Sequence, residues 1–430
     1  MSEGVAAFAV PNLGPCTLPS PLRECGFVRD GDRVLYQDDW AEIKACLESG
    51  REPASFEMAG PRERIHFDPA RTRCAIVTCG GLCPGLNDVI RAIVLSLHHP
   101  YGVEKVFGFP FGYEGLVARH GHAPLELTPA TVSRIHEAGG TFLGSSRGSQ
   151  DVGHMVDTLE RLEVAILFAI GGDGTLRGAH AIAEEVKRRG LNIAVVGVPK
   201  TIDNDISCIQ SSFGFETAVA EARRATQAAH AEATGARNGI GLVKLMGRDS
   251  GFIAGYAALA DSNVSFCLIP EAPFTLPAFL HALGERLRRA GHAVVVAAEG
   301  AGQDLMRATS ERDASGNLRY GDIGVFLRDS IREHFAAAGL EVNLKYIDPS
   351  YMIRSLPANA RDAAFCLLLG HSAVHAGMAG RTDMVVGYWR NAFTHVPIPL
   401  AVSSRKKVDT DGFLWSSVLA ATGQPRWRDA

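Results

Sequence analysis

The stretch Phe168-Ala169-Ile170-Gly171-Gly172-Asp173-Gly174-Thr175 constrains this chain more than any other, because it joins an unbroken apolar run to a glycine-rich turn holding one carboxylate. Residues 164–170 are rich in Val, Ile and Leu with no polar alternation, the signature of a strand buried on both faces of a parallel sheet. Beyond the turn, residues 176–189 carry helical spacing (Ile182, Val186) and stop at Gly190, where a helix terminus favours glycine. A helix N-terminus at the carboxyl end of a parallel strand offers free N–H groups and a positive dipole end, and glycines let the backbone approach a phosphate. Asp173 at that point suits a metal ion bridging to phosphate oxygens. An isolated Gly-Asp-Gly turn is common without a ligand; here the flanking strand and helix favour the phosphate reading.

With 430 residues, the chain has room for two or three domains or one large two-lobed unit. Lys and Arg total 43 against 47 Asp and Glu, a net charge of −4 that argues against a general nucleic-acid or anionic-membrane surface. Any phosphate site is therefore a local basic cluster. No apolar run reaches membrane length, and Met1-Ser2-Glu3-Gly4 lacks the features of a signal peptide, so a cytoplasmic protein is expected. The nine cysteines are odd in number and form no Cys-x-x-Cys pair, which speaks against a disulfide framework and a zinc site. Cys79 and Cys83 are read as small buried residues, with redox-sensitive thiols as the alternative.

Residues 1–72 have many prolines and glycines and one helical stretch at 40–47, and read as an arm or extension. From Arg73 the pattern becomes regular. Cys74-Ala75-Ile76-Val77-Thr78 reads as a strand, Gly80-Gly81-Leu82-Cys83-Pro84-Gly85 as a turn, and Leu86, Ile90, Ile93 and Leu97 as the inward face of a helix. Two strand–glycine loop–helix units in one parallel sheet would line one crevice. Between them come a short strand at 106–109, a helix at 131–137 and the loop Gly139 to Arg147, where a fixed cation stands beside Ser145 and Ser146. The strand at 192–198 leads into Pro199-Lys200-Thr201-Ile202-Asp203-Asn204-Asp205, which places one ammonium, one hydroxyl and two carboxylates at a strand's carboxyl end. Further strands are expected at 240–245, 264–269, 293–298 and 384–388, with helices at 216–233, 252–260, 278–289 and 358–378. Arg405-Lys406-Lys407 reads as a solvated face.

Taken together, Gly80-Gly81-Leu82-Cys83-Pro84-Gly85-Leu86-Asn87, Gly171-Gly172-Asp173-Gly174-Thr175, Pro199-Lys200-Thr201-Ile202-Asp203-Asn204-Asp205 and Met246-Gly247-Arg248 resemble the 6-phosphofructokinase family in that order and at suitable separations. The resemblance covers residues 57–400. The lead-in from Phe56 to Arg62 and the Tyr351-to-Arg354 segment are similar to the longer ATP-dependent members of plants and trypanosomes. The implied fold is α/β, with two Rossmann-like lobes of mainly parallel sheets, an active site in the cleft between them and an N-terminal extension. In that scheme 1–72 is the extension, 73–212 (rejoined by 356–400) the nucleotide-binding lobe, 213–355 the sugar-phosphate lobe and 401–430 a tail.

The resemblance implies transfer of the γ-phosphoryl of ATP to the 1-hydroxyl of fructose 6-phosphate, with Mg2+, in a homodimer or homotetramer. It further implies that Gly81, Arg147 and the Gly172, Asp173, Gly174, Thr175 turn hold the donor, with Asp173 on the metal. Asp203 would take the proton from the sugar hydroxyl, facing Asp173 across one cleft, while Thr201 and Asp205 order the site. Lys200, Arg147 and Arg248 are cations of the kind phosphoryl transfer needs. Met246, Gly247 and Arg248 would contact the sugar phosphate or the transferring group, Glu299 the sugar hydroxyls, and Tyr351 with Arg354 the 6-phosphate. Lys345 falls where short bacterial members place an arginine reaching in from the neighbouring subunit. A second such arginine has no clear match, the corresponding position lying near Gly239 with Arg237 close by.

Pyrophosphate users in the family commonly have an acidic residue at the position of Gly174, yet they share Lys200; plant and trypanosome types combine glycine with lysine and use ATP. ATP is therefore the expected donor and pyrophosphate the alternative. A non-catalytic paralogue would be signalled by loss of Asp173 or Asp203, and both are present. A lipid or dinucleotide kinase sharing only the central turn would not depend on Arg354.

Overall fold

The computed structural model describes residues 6–23, 25–306 and 320–427, so Met1-Ser2-Glu3-Gly4 lies outside the described residues. The chain divides into two compact units. One comprises the residues up to Thr201 with Ile206–Gly214 and Leu356–Ser404; the other comprises Ile202–Asp205, Phe215–Ser355 and the chain from Arg405 on.

The first unit is built on a nine-stranded sheet in the order Arg33–Leu35, Ser55–Met58, Ala392–Pro397, Met384–Trp389, Ala194–Pro199, Ile166–Gly171, Arg73–Thr78, Lys105–Phe109, Leu125–Glu126. The strands from Met384–Trp389 to Lys105–Phe109 run parallel, and the margins are antiparallel. Every residue of Ile166–Gly171 is buried, as an apolar run without alternation requires. Ala75, Val77, Leu167, Ala169 and Val195 share one cluster with Leu176, Ala179, Ile182 and Val186 of the Asp173–Arg189 helix. Residues of the opposite parity, Ile166 and Phe168, meet the Ala360–Met378 helix at Gly377, where a Cβ would stand 2.8 Å from Ile166 Cγ2.

The N-terminal residues read as an extension supply two strands of this sheet, Arg33–Leu35 and Ser55–Met58. Tyr36 stacks on Trp389 with ring centroids 5.4 Å apart, and Glu57 accepts from Arg62 and Arg381 at 2.8 Å each. Burial opposes ionisation of Glu57, but His395 and Arg381 hold its carboxyl well below the usual range. Arg381 and His395 lie more than 300 residues from Glu57 in sequence, so no local pattern announces them.

The second unit carries a four-stranded parallel sheet in the order Phe266–Leu268, His292–Ala298, Gly239–Leu245, Asn343–Ile347. Its core gathers Leu242, Val295, Phe279, Leu283, Leu327 and Ile331. The last residues, read as a tail, belong to this unit: Trp415 and Val418 of the Phe413–Thr422 helix are buried, and Val418 lies against Gly255 of the Phe252–Ala260 helix. Gln424 brackets the edge strand, accepting from Cys267 N at 2.6 Å and donating to Cys267 O at 3.1 Å. A free sheet edge is thereby capped by a side chain.

Several elements depart from the sequence reading. Residues 131–137 are not a helix but turns ending in the short 3-10 segment Ile135–Glu137. There the hydroxyls of Thr131 and Ser133 donate to the carbonyls of Thr128 and Ala130, offering the backbone an alternative to helical bonding. The helix expected from 176 begins at Asp173, which places Gly174 and Thr175 in its first turn. None of the nine cysteines is in a disulfide, and Cys79 and Cys83 are buried.

Candidate active site

In the first unit three parallel strands end level with one another, Thr78 opposite Ile170 and Gly171 opposite Pro199. Their carboxyl-terminal loops therefore form one row. Gly80 takes a left-handed conformation (φ 87°) that favours glycine, and its N–H donates to Ser146 O at 3.0 Å while Ser145 Oγ donates to Gly80 O at 2.6 Å. The Lys200 ammonium donates to Gly81 O at 2.6 Å, and the Lys200 N–H to Gly171 O at 3.0 Å. All three loops, with the Ser145–Ser146 turn, are thus tied by direct hydrogen bonds. Thr201 lies at the end of the same run, its carbonyl accepting from Ser212 Oγ at 2.7 Å.

The Asp173–Arg189 helix opens on Gly172 without a side-chain cap, so its first N–H groups face outward for an anion. Thr175 is buried, and its carbonyl accepts the Tyr113 hydroxyl at 2.6 Å. A Cβ on Gly174 would meet nothing within 4 Å, so this flank of the turn is open space. Asp173 is part-exposed and paired with Arg177, Nε to Oδ2 at 3.0 Å. As a hard oxygen donor at a helix start it suits Mg2+, an ion that takes one or two carboxylates and completes its octahedron with water and substrate phosphates. Arg147 is exposed at the edge of the loop row.

In the second unit the Gly239–Leu245 strand lies between His292–Ala298 and Asn343–Ile347, so the segments that follow the three strands are neighbours. Glu299 N donates to Leu245 O at 2.9 Å, and Gly300 N to Gly247 O at 3.1 Å. Gly247 has φ 127°, and a Cβ on Gly300 would fall 1.9 Å from Arg248 O, so both must be glycine for the two turns to approach. The Arg248 guanidinium lies over the Tyr320 ring at 4.6 Å, and Tyr320 donates to Asp249 Oδ1 at 3.2 Å. Lys244 bridges Asp348 at 2.7 Å and Asp322 at 3.0 Å, and Arg354 stacks on Tyr351 at 4.8 Å.

Asp203 and Asp205 pack with this second set. Ser250 Oγ donates to Asp203 O at 3.2 Å, and buried Asn204 between the two aspartates is left-handed at φ 53°. Asp203 as a whole is half-buried, yet its Oδ1 is shielded from solvent. Burial first, then the like charges of Asp205, Glu299 and Asp249, push its carboxyl well above the usual range, against a hydrogen bond from the Arg248 N–H. Glu299 is raised too, by burial, against the pull of Arg248, Lys244 and Arg354. A carboxylate so placed is a strong base for an alcohol proton.

The sequence-derived candidates thus gather as two sets. Gly81, Gly172, Asp173, Gly174, Thr175, Lys200 and Thr201 share the first unit's loop row, with Arg147 at its margin. Asp203, Asp205, Met246, Gly247, Arg248, Glu299 and Arg354 lie at the carboxyl ends of the second unit's strands, with Tyr351 exposed beside Arg354. Lys345 is exposed on the edge strand, and Arg237 is exposed before the opposite, amino end of Gly239–Leu245; neither joins these groups. Sequence reasoning missed Arg405, whose guanidinium pairs with Asp249 and lies 3.7 Å from Asp205. The triplet read as a solvated face is so only at Lys407; its cationic character was visible, its destination was not.

The phosphofructokinase family profile ("Phosphofructokinase") matches residues 73–377. An ATP-dependent 6-phosphofructokinase of Amycolatopsis methanolica is 51% identical over 96% of this chain and 94% of its own length. One from Trypanosoma cruzi is 50% identical over 86% of this chain and 77% of its own. Among solved structures, a pyrophosphate-dependent phosphofructokinase from Marinobacter aquaeolei superposes with a TM-score of 0.68, at 19% identity, over 83% of this chain and 92% of that one. At that identity the likeness is one of fold.

Proposed function

The chain belongs to the phosphofructokinase family, and on that footing we propose how its residues divide the work of moving a phosphoryl group. The enzyme transfers the γ-phosphoryl of ATP to the 1-hydroxyl of fructose 6-phosphate, giving fructose 1,6-bisphosphate in glycolysis.

The first unit takes the nucleotide and the second the sugar phosphate. On the donor side, Gly81, Gly172, Gly174 and Thr175 supply backbone N–H groups and clearance, and Lys200 and Arg147 supply positive charge. Asp173 would hold Mg2+, which when bound neutralises phosphate charge. Asp203 accepts the sugar's hydroxyl proton; its shielded carboxylate, crowded by Asp205, Glu299 and Asp249, supports that role. Thr201 and Asp205 order the loop. Met246, Gly247 and Arg248 meet the sugar phosphate or the transferring group, and Glu299 the sugar hydroxyls. Arg354 offers a planar fork for the 6-phosphate, with Tyr351 as a neutral donor. Lys345, exposed on its edge strand, is proposed to reach a neighbouring subunit's site in a cytoplasmic homodimer or homotetramer. Among the described residues no helix is long and apolar enough to cross a membrane.

The observation that carries the donor assignment is the open space beside Gly174. It leaves room for the rest of a nucleotide triphosphate where a side chain would fill it. Assaying fructose 1,6-bisphosphate formation with ATP and with pyrophosphate separately tests this: turnover with ATP alone, or strongly favoured, is expected, and equal or better turnover with pyrophosphate overturns it.

A further inference from the structure

We propose that the C-terminal segment from Arg405 to Val408 is a positioning strap for the acceptor-side carboxylates, holding Asp205 and Asp249 in place beside the proton-accepting Asp203. The proposal rests on the reading of Asp203 as proton acceptor. Three consecutive attachments define the strap. The Arg405 guanidinium pairs with Asp249 and stands 3.7 Å from Asp205 Oδ2. Lys406 N donates to Asp205 O at 2.8 Å, and its half-buried side chain runs over the Phe252 ring, with Nζ 5.2 Å from the centroid. Val408 N donates to Glu271 Oε1 at 2.9 Å, and that same carboxylate accepts from Gly251 N at 3.0 and 3.1 Å. The segment therefore clamps the Asp203–Asp205 loop and the Arg248–Gly251 turn together from the chain's far end.

The electrostatics agree with that geometry. Asp203 is faced by Asp205 on its own loop, by Asp249 and the Arg248 N–H from the turn, and by Glu299 from the end of the adjacent strand. Glu299 answers in turn to Arg248, Lys244, Arg354 and Asp348, and Tyr320 is bonded to Asp249. Without a counter-charge three aspartates would compete for one proton. Arg405 neutralises two of them and does not act as a base itself, since a guanidinium stays protonated. Lys406 adds charge beside Asp205, desolvation having lowered its ammonium to about 7.

The test measures kcat and both KM values from pH 5 to 9, with melting temperatures, for Arg405→Gln, Arg405→Lys, Lys406→Met and Asp203→Asn of the full chain. Removing a cation makes the field at Asp203 more negative and raises its pKa, so Arg405→Gln should lose about tenfold in kcat and move the acid limb up by about 0.5 pH unit or more. KM for ATP should stay within about twofold and Arg405→Lys should restore most of both losses, a pattern that loss of general stability does not produce. An unmoved acid limb, or a lysine variant no better than the glutamine one, overturns the strap. If Arg405→Gln does not fold, Lys406→Met decides: a limb displaced upward supports the strap and an unmoved one overturns it. An active Asp203→Asn enzyme overturns the base assignment and the strap with it; an inactive one with an unmoved Arg405→Gln profile overturns the strap alone.

Discussion

The Lys200 ammonium donates to the carbonyl oxygen of Gly81 at 2.6 Å, so a residue after one strand fixes the glycine loop after another, 119 positions earlier in the chain. Lys200 is 6% exposed, and the Cβ position of Gly80 lies 3.2 Å from its Nζ. Charge-assisted hydrogen bonds of this kind contribute about 1.5–3 kcal/mol. Lys200→Met should therefore lower kcat/KM for ATP roughly 10- to 100-fold, with KM for fructose 6-phosphate within about twofold. Steady-state kinetics with each substrate varied provide the check, and an unchanged ATP dependence would remove the role.

Asp203 should show itself in a pH profile. Its folded pKa is raised above the ordinary 3.8 by burial and three acidic neighbours. It must be unprotonated to accept a proton, so kcat should rise with pH along a limb above that of a free aspartate. Asp203→Asn should cost about 10²–10⁴-fold in kcat and abolish that limb. A wild-type limb at about pH 4 or below, the range of an unperturbed aspartate, would contradict the assignment.

Gly174→Asp separates donor recognition from folding. The new side chain points into open space and sits in the first turn of the Asp173–Arg189 helix, where a carboxylate is favoured. The melting temperature should hold or rise slightly. ATP-dependent turnover should fall by about 100-fold or more, because a negative side chain would stand beside a polyphosphate. Retained ATP turnover would mean that the open flank is not donor space.

Asp383 carries a stability prediction away from the site. It is buried, left-handed at φ 51°, and hydrogen-bonded with His180 Nδ1 at 2.9 Å; burial raises its pKa from 3.8 to about 6. The folded state thus binds this proton more tightly than the unfolded chain. The corresponding stability is complete below about pH 4 and is lost as pH rises through about 6, on the order of 1–3 kcal/mol in all. Asp383→Asn tolerates the same backbone and should raise the melting temperature at pH 8 while flattening its decline between pH 4 and 6. Calorimetry from pH 4 to 8 provides the check, and a variant less stable than the parent at pH 8 would contradict this reading.

Much of the site was legible because its signals are local. An apolar run ending in Gly171-Gly172-Asp173-Gly174-Thr175 encodes a strand, a turn and a helix start within short reach, and each motif after a parallel strand must fall at a carboxyl end. The 131–137 misreading has a local cause as well, since side-chain hydroxyls competed with the backbone where periodicity favoured a helix.

Other features had no local trace. Nothing in Arg405-Lys406-Lys407 says that its first member would meet Asp205 and Asp249, or its third remain in solvent. Nothing in the proline-rich opening says that Glu57 would be locked between Arg62 and Arg381. The sequence by itself determined the strands, the glycine turns and the chemical groups those turns carry, because dihedral preference and burial period act over a few residues. Which distant charges those groups would meet was decided only by the tertiary structure, because an ion pair between remote residues depends on the path of the whole chain between them.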